Sequence, residues 1–440
     1  MCSSSSPPTT FAGGPIQIVG TVDPPGTGSA KQPDLPFSPL RYPTVSTPDT
    51  VLQAKLDAAL NAQKALGRFG ANSHVAFSLI VISKTGDHKY AGRFDEEMHF
   101  SASLVKVAAM YAAHELLAAA RRLARRKGFA DAPAFLAALA SSFDAQITAA
   151  AVPAIRNLVT DPALMGPVPK YDLIFSVTNT GVANEPDVEF TPGFASDLRS
   201  MIALGTNEGA SRCVRKLSYA YINAALIHGG FFDPDLTPPN GIWLAADYLG
   251  DKNTPQFNDA THIPYVRIDC DNDCAIVNGI QNCGVGQIST TRRMSNLFAL
   301  IELGGVPNAD TRMLVDPGSG LPVPDGCMKM RTLLVEPKPG RADVSWVDPG
   351  NNPRRLINVV PKFDVRHDKI GLANLKRGPE VRSEGLIVEW KGQRARLDAL
   401  NFTGKLAISW QNLVGLPPTG FDGIAQTIND TFTSYMAALP

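Results

Sequence analysis

The chain has 440 residues, 44% hydrophobic and 19% charged: enough apolar material for a sizeable core, and too long for one ordinary domain. Lysine plus arginine balance aspartate plus glutamate at 41 each, so no net charge favours nucleic acid or an acidic partner. No uninterrupted apolar run reaches the roughly 18 residues that span a membrane.

Residues 1–48 are rich in Pro, Gly, Ser and Thr and read as an extended leader or linker. They open "MCSSSSPPTTFAGG". A cysteine ahead of a serine-rich tether is how a mature bacterial lipoprotein begins. One reading is therefore a lipid anchor at Cys2 on an exported protein; the other gives Cys2 no role.

Val51, Leu52, Leu56, Leu60 and Leu66 then recur at helical spacing, with Gly70 as the stop. "HVAFSLIVIS" predicts a strand, "KTGD" a turn and "HKYAGRF" a second strand. "HFSASLVKVAAMYAAHELLAAARR" predicts a long helix, and "RRLARRK" its solvated end. Residues 130–235 read as helical, with loops near "TDPALMGPVPKYD" and "TNTGVANEPDVEFTPG". Residues 233–285 are loop-like. They hold Cys270, Cys274 and Cys283, whose irregular spacing, with His262 the nearest histidine, makes a poor zinc site. A disulfide and free thiols both stay open there.

"STTRRMSNLFALIELGG" predicts an amphipathic helix ended by Gly304-Gly305. Strands follow in "RLINVV", "FDVRHDKIG", "EGLIVEW" and "KLAISWQNL", and "FDGIAQTINDTFTSYMAAL" closes as a helix. "FTGK" reads as a turn. The expected fold class is α+β: an antiparallel sheet built from both chain ends, flanked by helices, with an all-helical domain inserted. Residues 49–100 and 285–440 form the α/β part, and 101–284 the helical part.

Ser103 and Lys106 stand three apart at the start of the long helix and so share a face. The helix N-terminus favours negative charge developing near the serine. An apolar wall, "LVKVAAM", lowers the pKa of a lysine set in it. A neutral Lys106 can then take the Ser103 proton as the serine attacks a carbonyl. The plainer alternative is a capping serine beside a surface lysine, with Ser101 also able to cap.

"YAGRFDEEMHFSASLVKVAAMYAAHELL" resembles the strand-then-helix segment of class A serine β-lactamases and penicillin-binding proteins. In that superfamily S-x-x-K holds the acylated serine and a lysine base. The resemblance runs from about residue 50 to 436 and implies a β-lactamase/transpeptidase-like fold. It implies a serine hydrolase acting through an acyl-enzyme on an amide, lactam or ester of a small molecule or peptide, with no metal or cofactor. Lys369-Ile370-Gly371 matches the late K-[TS]-G element. Lys369 would supply positive charge near the substrate, Gly371 would leave room for it, and Ile370 and Leu372 would line the same site. Backbone N–H groups of Ser103 and Leu372 would form the oxyanion hole. Ile370 departs from the pattern, because the family has a hydroxyl there.

Gly205-Thr206-Asn207 matches the family's S-x-N, with Asn207 holding the substrate amide and fixing Lys106, and Thr206 beside it; Gly205 replaces the serine. Tyr221-Ile222-Asn223 is a rival Y-x-N, and Lys84-Thr85-Gly86 is a K-T-G too early in the chain. Class A enzymes carry a loop glutamate that activates the deacylating water. Here no glutamate lies between Glu208 and Glu302, and Asp233, Asp235 and Asp247 sit in no recognisable motif. Slow deacylation follows as an expectation, and the two losses, Gly205 and Ile370, set beside it the alternative of a catalytically impaired binding protein on the same scaffold. His114 reads as a packed residue, and His367 as a candidate for lining the cleft.

Overall fold

The computed structural model describes residues 34–38, 41–70, 73–151, 168–179, 186–236, 240–244, 248, 275–277, 280–282, 287–306, 312–316, 320–335, 345–348, 361–373, 381–412, 416–417 and 419–440. Cys2, Cys270, Cys274, Cys283, Asp247 and "RLINVV" lie outside these residues. Cys213 and Cys327 are buried free thiols.

Five antiparallel strands make the main sheet: β1 (Val75–Ser83), β2 (Lys89–Arg93), β3 (Phe363–Ala373), β4 (Val381–Trp390) and β5 (Phe402–Asn412). Their spatial order is β3-β4-β5-β1-β2. The β1–β5 seam, from Val75 opposite Asn412 to Val81 opposite Leu406, joins the two ends of the chain. β1 is buried along its whole length, which is why it reads as an unbroken apolar run rather than an alternating one. β5 begins at Phe402, so "FTGK" opens a strand and is not a turn.

The larger helices are α1 (Thr50–Ala65), α2 (Lys106–Lys127), α3 (Ala132–Ala150), α4 (Pro192–Ile202), α5 (Asn207–Leu217), α6 (Tyr219–Gly229), α7 (Thr291–Leu303), α8 (Asp325–Val335) and α9 (Gly420–Ala438). α1 starts at Asp49, whose carboxylate accepts from the Val51 and Leu52 amides at 3.1 and 2.9 Å. Its inward stripe is Leu52, Leu56, Ala59 and Leu60; Val51 and Leu66 are exposed, and the helix ends before Leu66.

The back of the sheet packs Phe77, Leu79, Leu386 and Ile408 against Leu52 and Leu56 of α1 and Ile424 and Phe432 of α9. The front, with Ile80, Ile387 and Ala407, joins a larger core holding α2, α7 and the intervening helices. α2 is apolar and long enough to cross a bilayer, but 94% of its most apolar window is buried inside the protein.

The stretch between β2 and β3 is not all-helical. Phe175–Asn179 and Pro186–Phe190 form a ribbon where the end of a helical stretch and then a loop are expected, because Phe175 faces Phe190 across it and their rings stack at 6.3 Å. Trp243–Leu244, Gln287–Ser289 and His99–Phe100 make a second small sheet.

The "RRLARRK" segment also differs from expectation. Arg121 is buried and paired with Asp325 and Glu189, both at 2.9 Å, and Arg122 donates to the Leu35 and Phe37 carbonyls. Only from Arg125 to Lys127 is the helix end exposed.

Candidate active site

The strand His99–Phe100 delivers the chain into a single 3₁₀ turn, Ala102–Val105, which runs straight into α2. Ala102 takes a left-handed φ of 50°, a conformation that side chains with a Cβ resist. From Ser101 to Arg121 every residue is buried except Ser103. The Ser103 hydroxyl has no hydrogen-bond partner among the described residues. Ser101 does not cap the helix; its hydroxyl bonds the His99 carbonyl at 3.0 Å and Ser289 Oγ at 2.6 Å. Gln411 from β5 donates to both serine hydroxyls, at 2.9 and 2.8 Å. This polar floor holds the Ser103 turn against the sheet.

Lys106 is fully buried, yet its amine reaches oxygen atoms on one other turn. It donates to Gly205 O at 2.8 Å, Thr206 O at 3.2 Å and Asn207 Oδ1 at 3.0 Å. The Tyr248 ring lies 4.8 Å from the nitrogen. Loss of water on burial carries the amine down to about 7, against the opposing pull of Glu208. Three donated bonds occupy every N–H of an ammonium. A neutral amine has one fewer N–H and a lone pair, so deprotonation releases one of these acceptors and leaves a base one helical turn from Ser103.

The 205–207 turn explains its own sequence. Gly205 has φ 69°, where a serine would be strained, and it contributes a carbonyl in place of a side chain. Thr206 caps α5: its hydroxyl accepts from the Gly209 amide at 3.1 Å and meets Ser200 Oγ at 2.7 Å. Its carbonyl accepts from Lys106. Asn207, by contrast, is exposed at the mouth of the site with its side chain on Lys106.

β3 is the edge strand of the sheet and packs on the turn that holds Ser103. A Cβ placed on Gly371 would lie 2.3 Å from the Ser101 carbonyl oxygen and 2.9 Å from the Leu104 amide nitrogen, so only glycine fits. Ser383, opposite Gly371 on β4, donates to that same carbonyl at 2.7 Å. Lys369 lies two residues earlier on the same strand face, fully buried, its amine 3.2 Å from the Ile370 carbonyl. As an edge strand, β3 leaves alternate N–H groups off the ladder, and partly buried Leu372 continues it past Gly371.

Ile370 does not line this face. It belongs to the back core with Leu386 and Trp410, because alternation turns its side chain to the other side of the sheet. Tyr221 and Asn223 are buried within α6; Tyr221 bonds Pro36 O, and Asn223 ties Tyr219 to Leu244. Lys84 sits on an exposed hairpin turn, paired with Asp398 at 2.6 Å. His114 is buried in α2 with its ring edge on Phe190, and burial holds it near 3. His367 lies 3.0 Å from Glu302 of α7. Asp233 pairs with Arg41. The carbonyls of Gly205 and Thr206, the ring of Tyr248, and the Ser101–Ser289–Gln411 floor have no motif and were invisible to pattern reading.

No family model matches the chain, and no curated protein matches it. Among solved structures it is similar to a β-lactamase from Sphaerobacter thermophilus, at 12% identity and a TM-score of 0.38 over 88% of this chain and 99% of that one. It is similar to a class A β-lactamase from Mycobacterium abscessus, at 13% identity and 0.40 over 87% and 99%. A β-lactamase from Burkholderia ambifaria gives 13% identity and 0.41 over 85% and 98%.

Proposed function

We propose that this chain is a serine hydrolase whose Ser103 is acylated by an amide, lactam or ester carbonyl of a small molecule or peptide. The observation that carries the reading is the pairing of a buried amine poised near neutrality with the single residue of its turn that reaches solvent. Ser103 Oγ forms the bond to the carbonyl carbon while its proton passes to Lys106 Nζ. Charge developing on the carbonyl oxygen falls to the Ser103 and Leu372 amides. As the carbon–heteroatom bond breaks, the leaving group takes a proton back from Lys106. Gly205 supplies no hydroxyl to relay it, so delivery is direct or through water. Lys369 lends positive charge to the anionic end of the substrate.

Hydrolysis of the acyl-enzyme is the weak step. No glutamate lies between Glu208 and Glu302 to activate a deacylating water, and Gly205 stands where the family's motif has a serine hydroxyl. These same two features favour a second reading, a protein that binds such ligands without turnover.

Intact mass after incubation with a fluorescent penicillin or a fluorophosphonate separates the two. The expected result is a single slowly lost adduct in the native chain and none in Ser103→Ala. An adduct that persists in Ser103→Ala removes the proposal, and no adduct with either probe selects the binding reading.

A further inference from the structure

A second cluster of chemistry-bearing side chains lies just upstream of the nucleophile turn. His74 immediately precedes β1, Glu97 sits in the turn after β2, and His99 opens the strand that leads to Ser103. Both imidazoles converge through Nε2 on the same carboxylate oxygen, Glu97 Oε2, at 2.6 Å from His74 and 3.0 Å from His99. The three donor atoms all lie within 4.8 Å of one another. We propose that His74, Glu97 and His99 form a binding site for a divalent transition cation of the zinc class.

The donor set suits that ion: two imidazole nitrogens and one carboxylate oxygen, with a fourth position left to water. Around a tetrahedral ion with ligands at about 2.0–2.1 Å, donor atoms stand about 3.3 Å apart. The two nitrogen–carboxylate spacings, 2.6 and 3.0 Å, are shorter than this, so a bound ion would part His74 and Glu97 by about 0.7 Å and His99 and Glu97 by about 0.3 Å. The His74 side chain is 32% exposed and that of Glu97 44%, so both can move outward and the ion has a path of entry. His99 is 10% exposed and supplies the rigid corner. Its backbone pairs with Ser289, and its carbonyl accepts from Ser101 Oγ. The His74 ring stacks on Phe94 at 4.2 Å. Such outer contacts are what hold imidazole ligands in orientation.

A bound cation would tie the start of β1, the turn after β2 and the strand entering Ala102 to one point. It would brace the strained turn that presents Ser103 without touching the reacting atoms.

The test uses the full chain, stripped with EDTA, dialysed, and titrated with Co²⁺ as a spectroscopic stand-in for Zn²⁺. One equivalent should give the visible d–d absorption of a four-coordinate site, displaced by Zn²⁺, and Zn²⁺ should raise the melting temperature. His74→Ala and His99→Ala should each weaken binding by more than the roughly 10–100-fold that loss of an outer partner costs. Their metal-free melting temperatures, compared with that of the stripped native chain, show that they fold. Absence of the Co²⁺ spectrum in the native chain overturns the site, as does undiminished binding in the His74→Ala/His99→Ala double variant. A thiolate charge-transfer band would place the ion on cysteine instead and overturn it equally.

Discussion

On the front and on the back of the sheet, burial pushes a charged group toward neutrality. In front, Lys106 is carried down from 10.5 to about 7. Behind, Glu384 on β4 is carried up from 4.5 to about 8 by burial, with the nearby Asp368 adding to it. Glu384 accepts from the Trp346 amide at 3.1 Å and from Trp410 Nε1 at 3.0 Å, beneath a Trp346–Phe421 stack at 4.8 Å. Both groups are perturbed by the same physics, yet only Lys106 stands one helical turn from a hydroxyl that reaches solvent. A shifted pKa marks a catalyst only when a reacting atom lies within its reach; sealed under tryptophans, it marks a neutral core residue.

The largest test of this contrast is Lys106→Met. It should lower the rate of Ser103 acylation by about 10²–10⁴-fold while leaving the fold intact, measured by stopped-flow with a chromogenic ester or penicillin. In the native chain the same rate should rise with pH through about 7 and then level, because only the free amine accepts the proton. A rate flat between pH 5 and 9 would remove Lys106 as the base.

Gly371→Ala comes next. Its Cβ would press on the Ser101 carbonyl and the Leu104 amide, both backbone, so the strand and the nucleophile turn must part. A cost of about 1–3 kcal/mol in stability is expected, together with loss of acylation. Retention of both would mean that β3 does not fit so closely.

Glu384→Gln probes the back face through pH. With its folded pKa raised, Glu384 binds more protons folded than unfolded between 4.5 and about 8, so its penalty grows as pH rises through that window and is full above it. Lys106 does the opposite: its penalty is full below about 7 and fades toward 10.5. Denaturant midpoints across pH 4–9 should therefore fall less steeply with rising pH in Glu384→Gln than in the native chain. Identical slopes would show that the carboxyl does not titrate in the fold.

The smallest effect on activity is expected from Ile370→Thr. The substitution writes the family's K-[TS]-G into the strand, but the side chain faces the back core at 8% exposure. It should cost about 1–3 kcal/mol for a poorly bonded buried hydroxyl and leave acylation and carboxylate preference unchanged. A clear gain in affinity for carboxylate-bearing substrates would show that residue 370 turns toward the cleft.

Much of this was legible along the chain. Local periodicity marked α1, β1, α2, α7 and the late strands, and Ser103 and Lys106 were found because a helix brings residues three apart together. Asn207 came from a degenerate motif and does meet Lys106, while Gly205 looked like a loss until its left-handed backbone and carbonyl gave it a place. The misreadings share a cause. Arg121 reads as part of a solvated helix end because composition does not say that Asp325 and Glu189 will fold over it. The 175–190 ribbon reads as helix end and loop because its pairing lies across the chain rather than within a window.

What the amino-acid order determined by itself is therefore short in range: where helices and strands run, and which hydroxyl and amine share a helical turn, since backbone geometry alone sets those distances. What the tertiary structure decided is water and reach. Only packing could strip solvent from Lys106 and Glu384, send Ile370 to the back and Gly371 to the front, and gather His74, Glu97 and His99, because solvation and contact depend on neighbours that come from distant parts of the chain.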